Sequence, residues 1–308
     1  MPRPAPSPMR TASTRSSARS RQGPEPMFDP KRPTLKTMIA SGRCIGAAWF
    51  SLGSAALVEL ALKSEPDAIV IDMQHGLWDR RELEAVIGMV PSRIPVIVRV
   101  AENTALAIGT ALDAGAEGVI VPLVESAKEA RAAVRHALYP PHGNRSGGGV
   151  RPLKDFQSYV AGADGIAVIV MIETEKGLDA AEDIIAVDGI DMVFIGTGDL
   201  SLSLGAFPIH RHDHTVACAD IHKACRAGYM PCGIFTGRPE FATVARGQGY
   251  RLVTIANDID MVQRSFVEAA KRFRDPPAPA IAPSSGPATA SLPAGSGPAI
   301  ENRRKGDA

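Results

Sequence analysis

Short apolar runs rich in β-branched residues recur along the middle of the chain, and a stretch with helical periodicity follows each of them. Regular alternation of strand and helix is typical of a parallel sheet. The eight runs are Gly46–Leu52, Ala68–Met73, Pro95–Val100, Gly118–Val124, Ala167–Ile172, Met192–Ile195, Cys232–Phe235 and Leu252–Ile255. A doubly wound open sheet is the alternative, but eight units fill a barrel with none left over. We therefore predict an α/β chain folded as a (β/α)8 TIM barrel.

The stretches between these runs carry helix start and stop signals. Two pairs have the spacing of a capping box, and two glycines stand where helices are expected to end: Asp79 with Glu82, Ser126 with Glu129, Gly115 and Gly228. Such signals predict helices between the strands, as a barrel requires.

Both ends of the chain differ in composition from the middle. Residues 1–33 are basic and rich in Ser, Pro and Arg, and residues 275–308 are rich in Pro and Ala. Because such segments cannot bury enough apolar surface to order themselves, we expect two disordered tails around a barrel of residues 34–274. An organellar transit peptide and an over-extended start are alternatives for the first tail, which lacks the apolar core of a secretory signal.

Charge and cysteine usage exclude several classes of protein. The 34 Lys and Arg nearly balance the 33 Asp and Glu, so no overall basic field is available for binding nucleic acid. No apolar run approaches about 18 residues, so we expect no membrane span. The four cysteines form no CxxC pair. Free thiols in a reducing compartment, and hence a cytoplasmic protein, are the expectation.

Two acidic residues follow neighbouring strands of the predicted barrel. Glu173 comes directly after the fifth run, and Asp199 comes shortly after the sixth. Function in such barrels lies where strands end. Two carboxylates at this end can share a divalent cation whose other ligands are waters and a chelating substrate, which is typical of Mg²⁺ or Mn²⁺. A pair of solvated loop acids or helix caps is the alternative.

The glycines beside Asp199, in "FIGTGDLSLSLG", raise a different possibility, because glycine loops can cradle a phosphate. Dinucleotide-binding spacing requires a third glycine where Ser201 stands, and no P-loop lysine follows. We therefore favour a turn whose amides are open to a small carboxylate beside Asp199.

Three further side chains are expected at the same end of the barrel. Arg99 ends the run "PVIVRV" and could anchor a developing enolate or carboxylate, or pair with a loop acid. His75, three residues after Asp72, is a candidate general base because histidine ordinarily titrates near working pH; a structural role is the alternative. Trp49, near the end of the first run, is a candidate for substrate contact.

Taken together, these motifs resemble the class II (metal-dependent) pyruvate aldolases. This family acts on 4-hydroxy-2-oxo acids and 2-keto-3-deoxy-sugar acids and is related to the citrate lyase beta subunit. The blocks that carry the resemblance are "DAIVIDMQHG", "PVIVRV", "ALDAGAEGVIVPLVESAKEARAAV" with "YPPHGNR", "IVMIETEKGLD" and "VDGIDMVFIGTGDLSLSLG". They cover about residues 34–273, and their combination is more specific than any one of them.

The resemblance implies catalytic roles for three residues. His75 would work with a water as the acid and base. Arg99 would stabilise the pyruvate enolate. Asp113, in "LDAG", would support the histidine.

The resemblance also implies a metal and substrate site. Glu173 and Asp199 would bind the cation, and the backbone amides of Gly198 and Asp199 would hold the substrate carboxylate. Two positions at the substrate depart from the family pattern, because Gln74 stands where an acid is usual and Met171 stands where Gln is common. We therefore expect the choice of oxo acid to differ more readily than the reaction type.

The implied activity is reversible cleavage of a 4-hydroxy-2-oxo acid to pyruvate and an aldehyde through a metal-bound pyruvate enolate, in aromatic or sugar-acid catabolism. Mg²⁺ or Mn²⁺ is the expected cofactor, with Co²⁺ or Zn²⁺ as further options. A homo-oligomer, either a hexamer or a trimer, is expected, in which a neighbour's residue can close the site. A citrate-lyase-like acyl-CoA lyase on the same barrel is the alternative function.

Overall fold

Eight parallel strands close into a barrel in chain order, so that the last strand pairs with the first. The computed structural model describes residues 32–207 and 212–275. The strands are β1 (Ile45–Phe50), β2 (Ala68–Asp72), β3 (Val96–Arg99), β4 (Gly118–Val121), β5 (Ala167–Ile172), β6 (Met192–Ile195), β7 (Cys232–Ile234) and β8 (Leu252–Asn257). The predicted (β/α)8 barrel is confirmed, and closure excludes the open sheet.

Helices follow the strands, as the helical periodicity predicts. Within the described ranges they are α1 (Leu35–Ala40), α2 (Ala55–Leu62), α3 (Arg80–Met89), α4 (Ala105–Asp113), α5 (Ala127–Ala137), α6 (Phe156–Ala161), α7 (Glu175–Asp179), α8 (Ala181–Ile185), α9 (Thr197–Ser203), α10 (His212–Ala227), α11 (Pro239–Gln248) and α12 (Asp258–Arg274). Short 3₁₀ turns precede β5 at Pro152–Lys154 and Ala163–Gly165.

The strands are apolar over most of their length because both of their faces are buried there. Along β5, Ile169 and Met171 belong to the cluster that fills the barrel, together with Trp49 and Phe194. The alternate residue Val170 belongs to the larger cluster between strands and helices. This two-sided burial fixes the register of every strand and therefore the places where the polar residues at their ends emerge.

Most of the predicted helix signals act as expected. The capping box of Asp79 and Glu82 is complete. Ser126 accepts a hydrogen bond from the amide of Glu129, but the Glu129 carboxylate accepts one from the amide of Glu125 instead of closing the box. A helix start at Ser126 was therefore predicted correctly, with a different partner for the second hydrogen bond.

The two glycines expected to end helices behave differently. Gly115 has φ +105°, the left-handed conformation expected just after a helix. Helix α10 ends at Ala227, so the predicted helix end at Gly228 is confirmed, but Tyr229, with φ 57°, adopts the left-handed conformation. Gly228 is needed for space, since a Cβ atom there would lie 2.6 Å from Cγ2 of Ile185.

The chain divides into two compact units, residues 1–264, which contain the barrel, and residues 265–308. Of the second unit, the described residues continue helix α12 and end at Asp275. The predicted disordered tails lie almost wholly outside the described residues. Arg32 is an exception, because it pairs with Glu117, so contacts with the barrel begin before the predicted boundary at residue 34. None of the helices in the described ranges has the length and apolar character needed to cross a membrane.

Candidate active site

An ion pair joins the ends of two neighbouring strands. Asp72 is the last residue of β2, Arg99 is the last residue of β3, and the two stand opposite each other in the ladder. Arg99 Nε donates to Asp72 Oδ1 at 2.8 Å, and Arg99 Nη2 donates to Asp72 Oδ2 at 2.5 Å. This two-point fork fixes the plane of the guanidinium group. Arg99 pairs with an acid and also lies at the end of the barrel. Both roles considered for it, an ion pair and an anchor for an anionic substrate group, are therefore consistent with its position.

Asp72 also binds the residues around it. Its carboxylate accepts hydrogen bonds from Trp49 Nε1 at 3.3 Å, from Ser51 Oγ at 3.1 Å, and from the amides of Gln74 and His75 at 3.1 and 3.2 Å.

Two opposing effects act on the ionisation of Asp72. Burial raises its pKa, but the hydrogen bond and positive charge of Arg99, supported by the amide of His75, outweigh burial and leave the pKa below its ordinary value. Asp72 is therefore a fixed negative charge around which Arg99 and the loop carrying His75 are arranged. The Arg99 guanidinium also lies 5.1 Å from the centre of the Trp49 ring.

The second pair of strand ends brings together the two predicted metal ligands. Glu173 follows β5 directly and is only 1% exposed, and Asp199 lies in the first turn of α9 after β6. Burial is the main cause that raises the pKa of Glu173 to about 7, and the neighbouring negative charge of Asp199 adds to it. The amide of Leu123 opposes this shift by donating to Glu173 Oε1 at 2.8 Å.

The backbone around Glu173 is shaped to hold its carboxylate. Leu123 has φ 53°, a left-handed conformation that costs a side chain of this type about 1 kcal/mol or more and that accompanies its hydrogen bond to Glu173. A Cβ atom on Gly196 would lie 2.3 Å from Glu173 Oε2. Only glycine fits at position 196 unless the carboxylate moves.

These residues fit a divalent cation. Two adjacent carboxylates, one of them buried, repel each other, and a cation between them relieves both the repulsion and the cost of burial. Among the described residues, no group of three or more His, Cys, Asp and Glu side chains is placed to hold a metal. Water or substrate oxygens would therefore complete the coordination, as is usual for Mg²⁺.

His75 stands close to this pair of acids. Its side chain is 60% exposed, and its Nε2 atom lies 4.0 Å from Asp199 Oδ2. The backbone of its loop is held by the segment after β1, because the amide of Leu77 donates to the carbonyl of Ser51 at 2.8 Å. His75 is thus a solvent-accessible ring on an anchored backbone, which suits proton transfer.

The remaining predicted substrate contacts lie at different depths. Space around Gly198 is open, since an added Cβ atom would meet nothing within 4 Å. The side-chain oxygen of Gln74 is buried and has no hydrogen-bond partner among the described residues. Met171 is 1% exposed and packs inside the barrel, and a Cβ atom on Gly196 would lie 3.0 Å from its sulfur. Trp49 is also buried and contacts Arg99 and Asp72.

The structure does not bring Asp113 to His75 within one chain. Asp113 ends α4, five residues before the start of β4, and thus lies near the opposite end of the barrel from the ends of β2 and β3. Its carboxylate accepts a hydrogen bond from Arg145 Nη2 at 2.8 Å, and the same nitrogen donates to Tyr159 Oη at 2.7 Å. Within one chain Asp113 therefore binds Arg145 and not His75, because a helix that follows a strand returns to the strand's starting end. Support of the histidine by Asp113 stays a prediction.

A separate groove of about 1130 Å³ lies between α10 and α11. Its lining includes Thr197 and Phe235 near the strand ends, but not Arg99, Glu173 or Asp199. The candidate site is therefore identified by its chemistry and not by cavity size.

Three residues of the site were not identified from the sequence as part of it. They are Ser51, which binds Asp72; Leu123, which binds Glu173; and Asp258, whose carboxylate binds the backbone after β1. Each follows the end of a strand, and that position is the one signal that could have identified them.

Comparison with known proteins shows the family to which the chain belongs. The model of the HpcH/HpaI aldolase/citrate lyase family matches residues 47–273. A hydroxypyruvate/pyruvate aldolase from Rhizorhabdus wittichii is 35% identical over 234 residues, which span 74% of this chain and 93% of that protein. A 2-dehydro-3,6-dideoxy-6-sulfogluconate aldolase from Pseudomonas putida is 34% identical over 220 residues, 70% of this chain and 86% of that protein.

A solved structure has a similar fold. The crystal structure of an HpcH/HpaI aldolase/citrate lyase family protein from Burkholderia cenocepacia has a TM-score of 0.73 and 31% identity, covering 78% of this chain and 98% of that one. The relatives are aldolases by name, and aldolases are carbon–carbon lyases. Fold and relatives agree: this chain belongs to the HpcH/HpaI aldolase/citrate lyase family of carbon–carbon lyases.

Proposed function

We propose that the protein is a divalent-metal-dependent aldolase that reversibly cleaves a 4-hydroxy-2-oxo acid, of the 2-keto-3-deoxy-sugar-acid type, to pyruvate and an aldehyde. The observation that carries the proposal is the meeting of Glu173 and Asp199 beside His75 at one end of the barrel that also bears Arg99. The names of the relatives, which include pyruvate and sugar-acid aldolases, support the same class of substrate.

Glu173 and Asp199 would hold the cation, Mg²⁺ or Mn²⁺ by the oxygen character of its ligands. When bound, the cation would supply Lewis-acid polarisation of the keto group of the oxo acid. The buried Glu173, held by Leu123 and given space by Gly196, is the more fixed of the two ligands. Asp199, on the first turn of α9, is nearer to solvent.

Arg99 would stabilise the negative charge that develops on the keto oxygen. Its guanidinium group is held in one plane by Asp72 and lies over Trp49, so little reorganisation is needed when the charge appears. The amides of Gly198 and Asp199 would bind the substrate carboxylate, because the start of α9 has no side-chain cap and its glycine is open to solvent.

His75 would move the proton. In the cleavage direction, the C4 hydroxyl proton passes to His75 or to a water that it orients, and the C3–C4 bond breaks. C4 becomes the aldehyde carbon, and the electron pair of the broken bond forms the enolate of pyruvate. Return of a proton to C3 gives pyruvate, and aldol addition is the reverse.

Substrate choice would depend on Met171 and Gln74. Met171 contributes a thioether where a polar contact to the oxo acid would otherwise be available, and the unpaired oxygen of Gln74 can accept a hydrogen bond from a substrate hydroxyl. Neither residue identifies the aldehyde product, which an assay must determine.

The test is an assay of pyruvate release across a panel of 4-hydroxy-2-oxo acids and 2-keto-3-deoxy-sugar acids, with an acyl-CoA of the citrate-lyase type as a separate arm. We expect pyruvate from at least one oxo acid and no cleavage of the acyl-CoA. Cleavage of the acyl-CoA without any pyruvate would replace the proposal with the lyase alternative.

The proposed function also carries expectations about the oligomeric state and cellular location of the protein. We expect a homo-oligomer, a trimer or a hexamer, to be measured by light scattering during gel filtration, and a role in aromatic or sugar-acid catabolism. All four cysteines are free, which supports a cytoplasmic location.

A further inference from the structure

The geometry points to Asp258 as a positioning residue for the active site, acting through the end of β1. This inference rests on the proposed function and adds a residue to it. Asp258 is the first residue of α12, directly after β8, and is only 7% exposed. Its carboxylate accepts hydrogen bonds from the amide of Ser51 at 2.9 and 3.0 Å and from the amide of Leu52 at 2.8 Å.

These bonds continue the seam where the barrel closes. The ladder between β1 and β8 shifts register between Ala47 and Ala48, and its last pair is Trp49 with Asn257. Beyond this pair, no strand residue of β8 is available for the following amides. An unpaired buried amide costs about 1–3 kcal/mol, so the Asp258 carboxylate takes the place of the missing strand and fixes the chain after β1.

The segment after β1, fixed in this way, holds the end of β2 and the loop that follows it (residues 73–79, the β2 loop) by three contacts. The carbonyl of Ser51 accepts a hydrogen bond from the amide of Leu77 at 2.8 Å, and Ser51 Oγ donates to Asp72 at 3.1 Å. The carbonyl of Phe50 accepts a hydrogen bond from Trp78 Nε1 at 3.0 Å. One contact therefore reaches the carboxylate that clamps Arg99, and the other two hold the loop just after His75.

The two segments are packed without spare room. A Cβ atom on Gly76 would lie 3.1 Å from the carbonyl of Ser51 and 2.0 Å from that of Asp72. Gly53, with φ +65°, would place a Cβ atom 2.8 Å from the carbonyl of Leu77. A displacement of the segment after β1 must therefore be passed on to the loop that carries His75, because neither segment can absorb it.

The test replaces Asp258 with an isostere that cannot accept all these hydrogen bonds. In Asp258→Asn, one oxygen becomes an amide nitrogen that faces the amides of Ser51 and Leu52. We expect kcat to fall by about 10- to 100-fold, because small misplacements of catalytic groups cost this much, while KM and the Kd for Mn²⁺ stay within about twofold. The matched control is Glu268→Gln on the same helix, whose carboxylate pairs with Arg272 and is expected to leave kcat unchanged.

Tryptophan fluorescence gives a readout that does not depend on activity. The chain has two tryptophans, and both belong to this network: Trp49 donates to Asp72 and Trp78 donates to the carbonyl of Phe50. Asp258→Asn should shift the emission of the folded protein, and Glu268→Gln should not. Ser51→Ala combined with Asp258→Asn should lower kcat by less than the product of the two single effects, because both act on one path.

A lower melting temperature with unchanged kcat and unchanged emission below the transition would overturn this inference and leave Asp258 a purely structural role. A wild-type protein that releases no pyruvate from any oxo acid would instead refute the proposed function, and the emission of the two variants would still decide whether Asp258 positions the β2 loop.

Discussion

At the scale of single residues, Asp72 is the centre of the site although it touches no reacting atom in the proposed mechanism. It is 1% exposed and accepts two hydrogen bonds from Arg99, so the guanidinium group of Arg99 is held in one orientation. Such a buried pair contributes geometry more than stability, because burial of both groups costs much of what their attraction returns. The substitutions that test Arg99 must therefore separate the effect of its positive charge from the effect of its two hydrogen bonds to Asp72.

Replacement of Arg99 should abolish turnover and spare the metal site. We expect Arg99→Ala to lower kcat by about 100-fold or more, and Arg99→Lys to retain charge but recover only part of the rate, since an ammonium cannot form the two-point contact with Asp72. Arg93→Ala, which breaks a surface pair with Glu65, is the control. Titration calorimetry should give a Kd for Mn²⁺ near that of wild type; its loss would assign Arg99 a structural role instead.

Ionisation of Glu173 should be visible in the stability of the metal-free protein. Because burial and Asp199 raise its pKa to about 7 from an ordinary value of 4.5, the folded state keeps a proton that the unfolded chain releases. Stability therefore falls as pH rises from about 4.5 to about 7, by at most roughly 3 kcal/mol. Denaturant unfolding across this range should show a smaller decline in Glu173→Gln than in wild type. Identical pH profiles for the two proteins would contradict the raised pKa.

At the scale of elements, the turn between β6 and α9 determines whether Glu173 fits. A Cβ atom at Gly196 would overlap the Glu173 carboxylate, whereas Gly109 on α4 faces open space. Gly196→Ala should weaken Mn²⁺ binding by about 10-fold or more, as changes behind a metal ligand do. Gly109→Ala should leave binding unchanged and stabilise the helix by up to about 1 kcal/mol. Equal Mn²⁺ affinities in the two variants would refute a steric role for Gly196.

The elements themselves were predictable because their signals are local. Alternation of apolar runs with helical stretches identified all eight strands, and the capping box at Asp79 marked a helix start correctly. The helix end at Gly228 was predicted, but the left-handed residue is Tyr229, and the glycine is instead required by the close approach of Ile185, on another helix. A contact between distant elements leaves no pattern in the local sequence.

The same distinction explains which site residues could be predicted. Glu173, Asp199, Arg99 and His75 all follow strand ends, and in a parallel barrel those ends meet at one face. The hydrogen bonds from the amides of Ser51 and Leu52 to Asp258 join residues more than 200 positions apart, across the seam where the last strand meets the first. That pairing depends on a register shift in β1, which no local pattern in the sequence indicates.

At the scale of the whole molecule, the barrel brings a histidine, an arginine and a pair of acids to one face, from the ends of β2, β3, β5 and β6. Asp113 lies at the other end of its own chain's barrel and binds Arg145. If the protein forms the proposed homo-oligomer, Asp113 can reach a histidine only in a neighbouring copy. Light scattering of the purified protein measures this assembly; a monomer with full aldolase activity would show that Asp113 has no part in catalysis.

The central claim is that Glu173 and Asp199 act through a divalent cation, and one assay tests it most directly. Pyruvate release from a 4-hydroxy-2-oxo acid is measured before and after complete removal of metal with a chelator, and again after Mn²⁺ or Mg²⁺ is restored. The account predicts that activity disappears on removal and returns with either ion, and that Glu173→Gln cannot be restored at the same metal concentrations. Full activity in the metal-free protein would contradict it.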